Sequence, residues 1–424
     1  LLTSVMDDMR PENKYLHLMD EQEAITKAQA LLNRPGDANV SPLAVYRHAA
    51  KADSVQQRRP NVVLIMMESM SAEFMKHFGQ SETLTPFLDS LYTRSISFRN
   101  FYSAGIHTNH GLYATLYSFP AMMKRNLMKG SVIPRYSGLP TVLKENGYYN
   151  LFFMTHEGQY DNMNAFFRTN GYDEVFSQED YPADKVVNSF GVQDDFLYDY
   201  AIPVLNQRAA TGQPFFATLL SISNHPPYVI PPFFHPKTSE PETQIVEYAD
   251  WALRQFFEEA RKQPWFDNTI FVLEGDHGKL VGDAECELPE SYNHIPLMIY
   301  SSRIQPEEKT AFGGQVDIQP TILGLLNIDY LQNNFGVDLL KEERPCMFYT
   351  ADNMVVGRND TLLYLYNYET QQELTYDIGN GKLNAVPMDD SFLPLKEYSF
   401  SMLQSAEFLV KHGKTLNSIP FTQQ

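Results

Sequence analysis

The sequence predicts an α/β sandwich with a mostly parallel central sheet, followed by a small C-terminal α+β appendage. Three observations carry this. From about residue 60, short apolar runs alternate with helix-forming segments, the pattern of strand–helix–strand units. After about Asn327 the alternation gives way to closely spaced strand-like runs and one terminal helix-like run. The chain is also long and apolar enough to bury a large core: 424 residues, 43% hydrophobic and 20% charged, with 28 Phe and 25 Tyr. That balance belongs to a globular chain.

Residues 1–58 are expected to form an N-terminal helical arm. Glu21 to Leu32 is rich in strong helix formers and stops near Arg34-Pro35-Gly36, a helix-ending signal. Ser41-Pro42-Leu43-Ala44 resembles a cap with Pro at the first helical position and predicts a second short helix. Residues 59–330 are expected to be the main α/β domain. Asn61 to Met67 is an apolar run ending at Glu68, as for a strand buried on both faces. Ser69 to Phe78 is expected to be helical, and Thr85-Pro86 opens another helix. Downstream, Leu139 to Asn146 predicts a helix and Leu151 to Met154 a strand. Pro214 to Ile222 predicts a strand, Glu242 to Lys262 a helix and Thr269 to Leu273 a strand. Ile295 to Tyr300 then predicts a strand and Pro320 to Leu326 a helix. Residues 331–424 are expected to be the α+β subdomain. Its strands are Met347 to Thr350 and Thr361 to Tyr366, and its helix is Glu397 to Lys411.

The formal net charge of −19 argues against a general nucleic-acid binder, which needs a basic face. It does not exclude an anionic substrate, because a metal and a few donors can dominate a pocket. Only Cys286 and Cys346 are present. Two free thiols are favoured over one disulfide, and a four-cysteine zinc site is ruled out. No apolar run of about 18 residues occurs, and no signal peptide is visible. The chain opens at Leu1-Leu2 without Met. It is expected to be a fragment of a longer precursor, with a membrane region or a signal peptide removed.

Three polar signals stand where hydrophobic strands stop, the place where open α/β sheets bind ligands. They are Glu68, Asp276-His277-Gly278, and Asn224-His225-Pro226-Pro227. Singly, each reads as a solvated strand end, a loop turn or a structural histidine. Together, carboxylates and imidazole can bind Zn²⁺ or Mn²⁺. Thr108 begins a helix-like run through Tyr117. A helix N-terminus offers free N–H groups and partial positive charge. A metal-bound hydroxyl there can attack phosphorus while those donors steady the phosphoryl oxygens. The plainer alternative is that Thr108 only caps the helix.

These segments resemble the sulfatase-like branch of the alkaline phosphatase superfamily, and within it the lipoteichoic acid synthase family of phosphoglycerol transferases. The resemblance runs through Asn61 to Ser69, Thr85-Pro86-Phe87-Leu88, Phe98 to Thr108, Asp161-Asn162-Met163 with Gly171-Tyr172-Asp173, Ser223 to Tyr228, Glu274 to Gly278 and Gln315 to Thr321. It implies an alkaline-phosphatase/sulfatase-like fold over roughly residues 60 to 330. It implies a single metal on Glu68, Thr108, Asp276 and His277, Mn²⁺ first and Zn²⁺ second. It further implies that Thr108 is the covalent nucleophile. His225 would contact the phosphoryl group and serve as acid for the leaving alcohol. His294, in Tyr292-Asn293-His294-Ile295-Pro296, matches a histidine with either a substrate-side or a structural role. The implied partners are an anionic phospholipid donor and a glycan or glycolipid acceptor. The implied location is the bacterial cell membrane, with the catalytic domain extracytoplasmic (periplasmic or cell-surface) and anchored through a segment absent from this chain.

The sequence departs from that family at one place. Gly158-Gln159-Tyr160 precedes Asp161-Asn162-Met163, where the family carries a Trp-Asn-Arg that holds glycerophosphate. His107, His110, His156 and Gln159 are the candidates for rebuilding a substrate pocket. Phosphodiester hydrolysis or phosphoethanolamine transfer through the same Thr108 intermediate is the alternative activity. Sulfate-ester hydrolysis is disfavoured, because His107-Thr108-Asn109-His110-Gly111 lacks the Cys or Ser that becomes formylglycine. A non-enzymatic metal-binding module would not need a nucleophile beside its ligands.

Overall fold

The computed structural model of the chain describes residues 15–33, 45–52, 59–130 and 132–417. The expected α/β sandwich is present. The N-terminal part supplies α1 (Glu21–Leu32) and β1 (Tyr46–Ala49). Eight strands build the central sheet: β2 (Asn61–Met67), β3 (Ile96–Tyr102), β4 (Tyr149–Met154), β5 (Glu174–Phe176), β6 (Phe215–Leu220), β7 (Thr269–Gly275), β8 (Leu297–Tyr300) and β9 (Glu307–Gly314). Their order in space is β5-β4-β6-β2-β7-β8-β3-β9. Every neighbouring pair is parallel except the two that involve β8. Seven strands therefore end on one edge of the sheet, and that edge carries the chemistry.

Helices cover both faces. They are α2 (Pro86–Tyr92), α3 (Thr108–Tyr117), α4 (Leu139–Glu145), α5 (Met163–Thr169), α6 (Asp194–Ala209), α7 (Pro241–Ala260) and α8 (Ile318–Leu325). Strand β2 shows why its sequence is a continuous apolar run. Val62, Leu64 and Met66 enter one core with Leu112 and Leu116 of α3 and Val142 and Leu143 of α4. Val63, Ile65 and Met67 enter the opposite core with Leu197 and Leu205 of α6 and Phe256 and Phe257 of α7. A strand packed on both faces has no polar side to show in its sequence. Each such fully buried side chain contributes about 1.5–3 kcal/mol.

After the sheet, β10 (Tyr330–Asn333) pairs antiparallel with β1. Then β11 (Met347–Thr350), β12 (Met354–Arg358), β13 (Leu362–Asn367), β14 (Gln372–Asp377) and β15 (Asn384–Ala385) form a second, antiparallel sheet. The last helix, α9 (Leu393–Lys411), is tied to α1 by ion pairs Lys27–Glu397 (3.2 Å) and Lys411–Glu21 (2.9 Å). Arg344 and Asp317, both fully buried, form a two-pronged ion pair, and Arg344 also donates to Tyr398 Oη and the Phe335 carbonyl. Cys286 and Cys346 are both free.

Several expectations need correction. Ser69 to Phe78 is not one helix but two 3₁₀ turns, Ala72–Phe74 and Lys76–Phe78. The serines explain this: Ser69 sits at φ +50°, and its hydroxyl and that of Ser71 bond to Glu68 and the Lys279 carbonyl. Side chains spent on neighbouring loops compete with the helix. The run expected from Ile295 begins at Leu297 and lies antiparallel to β7. The helix expected from Ser41-Pro42 lies outside the described residues, as does Arg34-Pro35-Gly36, and by Tyr46 the chain is in strand β1.

The approach of α3 to the end of β7 is close. A Cβ on Gly111 would fall 2.3 Å from the Asp276 carbonyl oxygen and 2.9 Å from Gln315 Nε2. Backbone cannot yield as a flexible side chain does. Gly111→Ala is therefore expected to destabilise the fold by about 1–3 kcal/mol through overpacking, against the slight gain in helix propensity. Urea unfolding checks it, and a variant as stable as the parent would show that α3 is free to shift.

Candidate active site

Strand register gathers the acidic residues. In the parallel pairing of β2 with β7, Met66 opposes Glu274 and Met67 opposes Gly275. One residue further, Glu68 meets Asp276, and both are buried. Ordinary loop chemistry satisfies part of this pair. Asp276 Oδ1 accepts from the Ser69 amide (2.8 Å) and the His277 amide (2.7 Å). Glu68 Oε1 accepts from the Ser69 hydroxyl at 2.8 Å. Asp276 Oδ2, however, is buried without a partner. Burial, reinforced by the charge of Asp276, pushes the Glu68 carboxyl well above its usual range.

His277 completes the cluster. Its Nδ1 lies 2.8 Å from the Gly278 carbonyl, so it carries the proton and leaves Nε2 bare. That nitrogen is 3.8 Å from Glu68 Oε1 and 3.6 Å from Asp276 Oδ2. Ligand atoms of the three residues all lie within 4.8 Å of one another. Two carboxylate oxygens and an imidazole lone pair converging without a cation repel one another. An orphaned oxygen in that convergence fits the donor set a divalent cation would use.

The hydroxyl of Thr108 lies 3.4 Å from Glu68 Oε2. His107, in extended conformation, is the helix cap and makes no side-chain cap bond, so Thr108 is the first helical residue rather than the cap. The first intrahelical donors are His110 and Gly111, both to the His107 carbonyl. The amides of Thr108 and Asn109 precede them without an intrahelical acceptor. The loop before the helix is braced by the second sheet. Thr350 donates its amide to the Ala104 carbonyl (2.9 Å), and His107 Nε2 meets Asp352 Oδ1 at 2.6 Å.

A cleft of about 830 Å³ opens over the cluster, lined among others by Thr108, His107, Tyr160, Asp161, His225, His277 and Lys279. His225 comes from the loop after β6. Its Nδ1 is 2.6 Å from the Pro226 carbonyl and its ring packs 4.1 Å from Phe190. Asp161 stands at φ +50°, an uncommon conformation for a residue with a side chain. It is held by Lys129 (2.7 Å) and Asn109 (3.4 Å).

Sequence reasoning did not single out Lys279, Tyr228 or Asp161 as site residues. Lys279 follows the Asp276-His277-Gly278 run directly, and that adjacency was the available signal. Burial lowers its ammonium to about 8. The other histidines fall elsewhere. His110 is fully buried with neither ring nitrogen hydrogen-bonded, and burial drives its pKa down to about 3. His156 is buried behind Tyr160, Gln159 is exposed, and neither lines the cleft.

His294 is also off the cleft. Its Nδ1 meets Glu73 Oε1 at 2.8 Å and its Nε2 the Arg99 carbonyl at 2.9 Å. Burial works to lower its pKa, but the Glu73 hydrogen bond and charge outweigh it and the net shift is upward. A raised folded pKa means the imidazolium stabilises the fold fully below its unfolded value of about 6.5, and that contribution is lost as pH rises through the folded value. The stability advantage of the wild type over His294→Asn is expected to shrink as pH rises above about 6.5. Urea unfolding at successive pH values measures it, and a gap independent of pH would contradict the pairing.

Comparison with known proteins agrees with this geometry. A family model described as Sulfatase matches residues 60–328, more than half of the chain. Lipoteichoic acid synthase 1 from Bacillus subtilis (strain 168) is 25% identical over 350 residues, covering 76% of this chain and 53% of the relative. The chain spans about half the length of the curated relatives it matches. Among solved structures, a protein in the alkaline phosphatase superfamily from Vibrio parahaemolyticus has a TM-score of 0.84 and 26% identity, covering 96% of this chain and 100% of that one. The lipoteichoic acid synthase LtaP from Listeria monocytogenes shares the fold at a TM-score of 0.73 and 19% identity, covering 92% and 98%. With its strand-end acidic cluster and matching fold, the chain belongs to the sulfatase family and is an enzyme of the alkaline phosphatase superfamily.

Proposed function

We propose that the chain is the catalytic part of a metal-dependent transferase. It moves a phosphoglycerol, or a related phosphoalcohol, from a phospholipid to a cell-envelope glycan or glycolipid. The observation that carries this is the Thr108 hydroxyl, placed at a helix N-terminus and 3.4 Å from Glu68 beside the Asp276–His277 cluster. The lipoteichoic acid synthase relatives support the choice of reaction.

Glu68, Asp276, His277 and the Thr108 oxygen would hold the cation, Mn²⁺ in first place and Zn²⁺ in second. When bound, it lowers the cost of ionising the hydroxyl and offsets phosphoryl charge. Thr108 Oγ, having released its proton to solvent through the open cleft, attacks phosphorus, and the P–O bond to the diacylglycerol breaks. The free amides of Thr108 and Asn109 stabilise the charge that builds on the phosphoryl oxygens. His225, its Nδ1 fixed on the Pro226 carbonyl, offers Nε2 to protonate the leaving alkoxide. An acceptor alcohol then attacks the threonine ester, returning Thr108 and the proton. With a water in place of the acceptor, the same residues hydrolyse. Gly158-Gln159-Tyr160 beside the cleft is the specific reason to keep phosphodiesterase or phosphoethanolamine transfer as a second reading. Sulfate-ester chemistry is disfavoured: the nucleophile position is Thr, and Cys346 is buried away from it with its thiol pushed up to about 12.

No helix among the described residues is long and apolar enough to cross a membrane. Anchoring in the cytoplasmic membrane, with this part extracytoplasmic, is proposed through a segment outside this chain. Support comes from the family resemblance and from relatives of which this chain spans only about half the length.

Thr108→Ala is expected to cut turnover by at least ~10³-fold while leaving the melting curve close to the parent's. The hydroxyl's hydrogen bond runs to Glu68, and its loss should cost no more than ~1 kcal/mol. Thr108→Ser should retain substantial activity. Turnover of a fluorescent glycerophospholipid and of bis(p-nitrophenyl) phosphate with added Mn²⁺ or Zn²⁺ measures both. Near-parental activity in the Ala variant would remove Thr108 from the mechanism.

A further inference from the structure

We propose that Lys279 is the substrate-anion clamp of the cleft: its ammonium binds a phosphate oxygen of the reacting phosphodiester. This deepens the function proposed above and rests on it. Among the described residues, Lys279 is the only lysine or arginine on the cleft wall. The chain as a whole is strongly acidic, with a net charge of −19, so a lone cation here is not background. Other cations around the site are already neutralised: Lys129 by Asp161, and His107, where protonated, by Asp352. Lys279 has no ion pair to a carboxylate among the described residues.

Neutral groups hold it instead. Its Nζ donates to Asn224 Oδ1 at 2.5 Å and to Tyr228 Oη at 3.2 Å. Asn224 is fixed in turn, because its Nδ2 donates to the Ser69 carbonyl at 3.0 Å. The ammonium also lies 4.8 Å from the Tyr228 ring centroid and 5.3 Å from that of Phe74, cation–π distances that favour the charged form. An ammonium has three N–H donors. Two are occupied by neutral acceptors, and the third is left over in a half-buried position on the same cleft as Thr108 and His277. The carboxylates of Glu68 and Glu242 act on it through their charge, but neither forms an ion pair with it among the described residues, and a cation held in place without a salt bridge is suited to an anion that comes and goes. The tripeptide Gly158-Gln159-Tyr160 supplies no cation to the other side of the cleft, which leaves Lys279 as the side chain on the wall able to meet the phosphodiester's negative charge.

The test uses Lys279→Met, which keeps an apolar stem against Phe74 and Tyr228 and removes the ammonium, both its charge and its N–H donors to Asn224 and Tyr228. Inorganic phosphate binding to the Mn²⁺-loaded protein is followed by calorimetry, beside Mn²⁺ binding itself and a circular dichroism melt. We expect phosphate affinity to fall at least ~10-fold, Mn²⁺ affinity to stay equal or tighten, and Lys279→Arg to restore part of the phosphate affinity. For bis(p-nitrophenyl) phosphate, kcat/KM should fall with the phosphate affinity. Unchanged phosphate binding would overturn the proposal, as would a wild type that binds no phosphate. A parallel loss of Mn²⁺ binding or of the folded state would overturn it too, since Lys279 would then be scaffolding for the metal cluster. Phosphate binding that depends on Lys279 in a protein that turns over no phosphodiester would leave the clamp standing and sink the transferase reading.

Discussion

Two carboxylates are forced side by side by the register of two parallel strands, and much of the site follows from that. Glu68 and Asp276 leave β2 and β7 at adjacent positions, in a layer that helices seal from water on both faces. Nothing in the strands can separate them. The surrounding backbone compensates: Ser69 takes a positive φ, which turns its amide toward Asp276, while its hydroxyl serves Glu68. What it cannot supply is a full positive charge, and the bare Nε2 of His277 adds a third lone pair to the deficit. That arrangement fits a cation, and α3 can reach it only because Gly111 lets the helix backbone close on the Asp276 carbonyl.

The cleft above this cluster is asymmetric. On one side Tyr160, Phe190 and His225 form an aromatic edge, with ring distances of 6.5 and 4.1 Å between neighbours. On the other, Phe74 and Tyr228 sandwich an ammonium. Asp161, on the cleft wall, is held by Lys129 in a conformation that costs of order 1–3 kcal/mol. Such strain persists only where the neighbours over-determine it, and Asn109, next to Thr108, is one of those neighbours.

Most of the sheet was legible because β2, β4, β6 and β7 are buried on both faces and read as uninterrupted apolar runs. Strands β3 and β9 were not read. Arg99 and Asn100 interrupt the first, and β9 is an edge strand that begins Glu307-Glu308-Lys309. The helix α6 escaped because Pro203 lies inside it and its apolar residues follow no clean stripe. At the site, Glu68, Asp276 and His277 were legible as polar residues ending apolar strands, and the structure brings them together with Thr108. Histidine count was a poor guide: His110, His156 and His294 are chemically conspicuous in sequence, yet the first two are buried and His294 is tied to Glu73 and the Arg99 carbonyl away from the cleft. Lysine has the opposite bias, since it is ordinarily a solvated residue, and only the fold shows that Lys279 lies between two aromatic faces.

The second sheet changes what counts as one functional unit. Its β11–β12 hairpin supplies Asp352 to His107 and Thr350 to Ala104, immediately before the helix that Thr108 begins. That hairpin is more than 200 residues downstream, outside the segment that carries the family match. Anyone recombining this enzyme with a relative by exchanging the segment around Thr108 would therefore graft a loop without its seat. The interchangeable part is the loop together with its hairpin, and the two should drift in step.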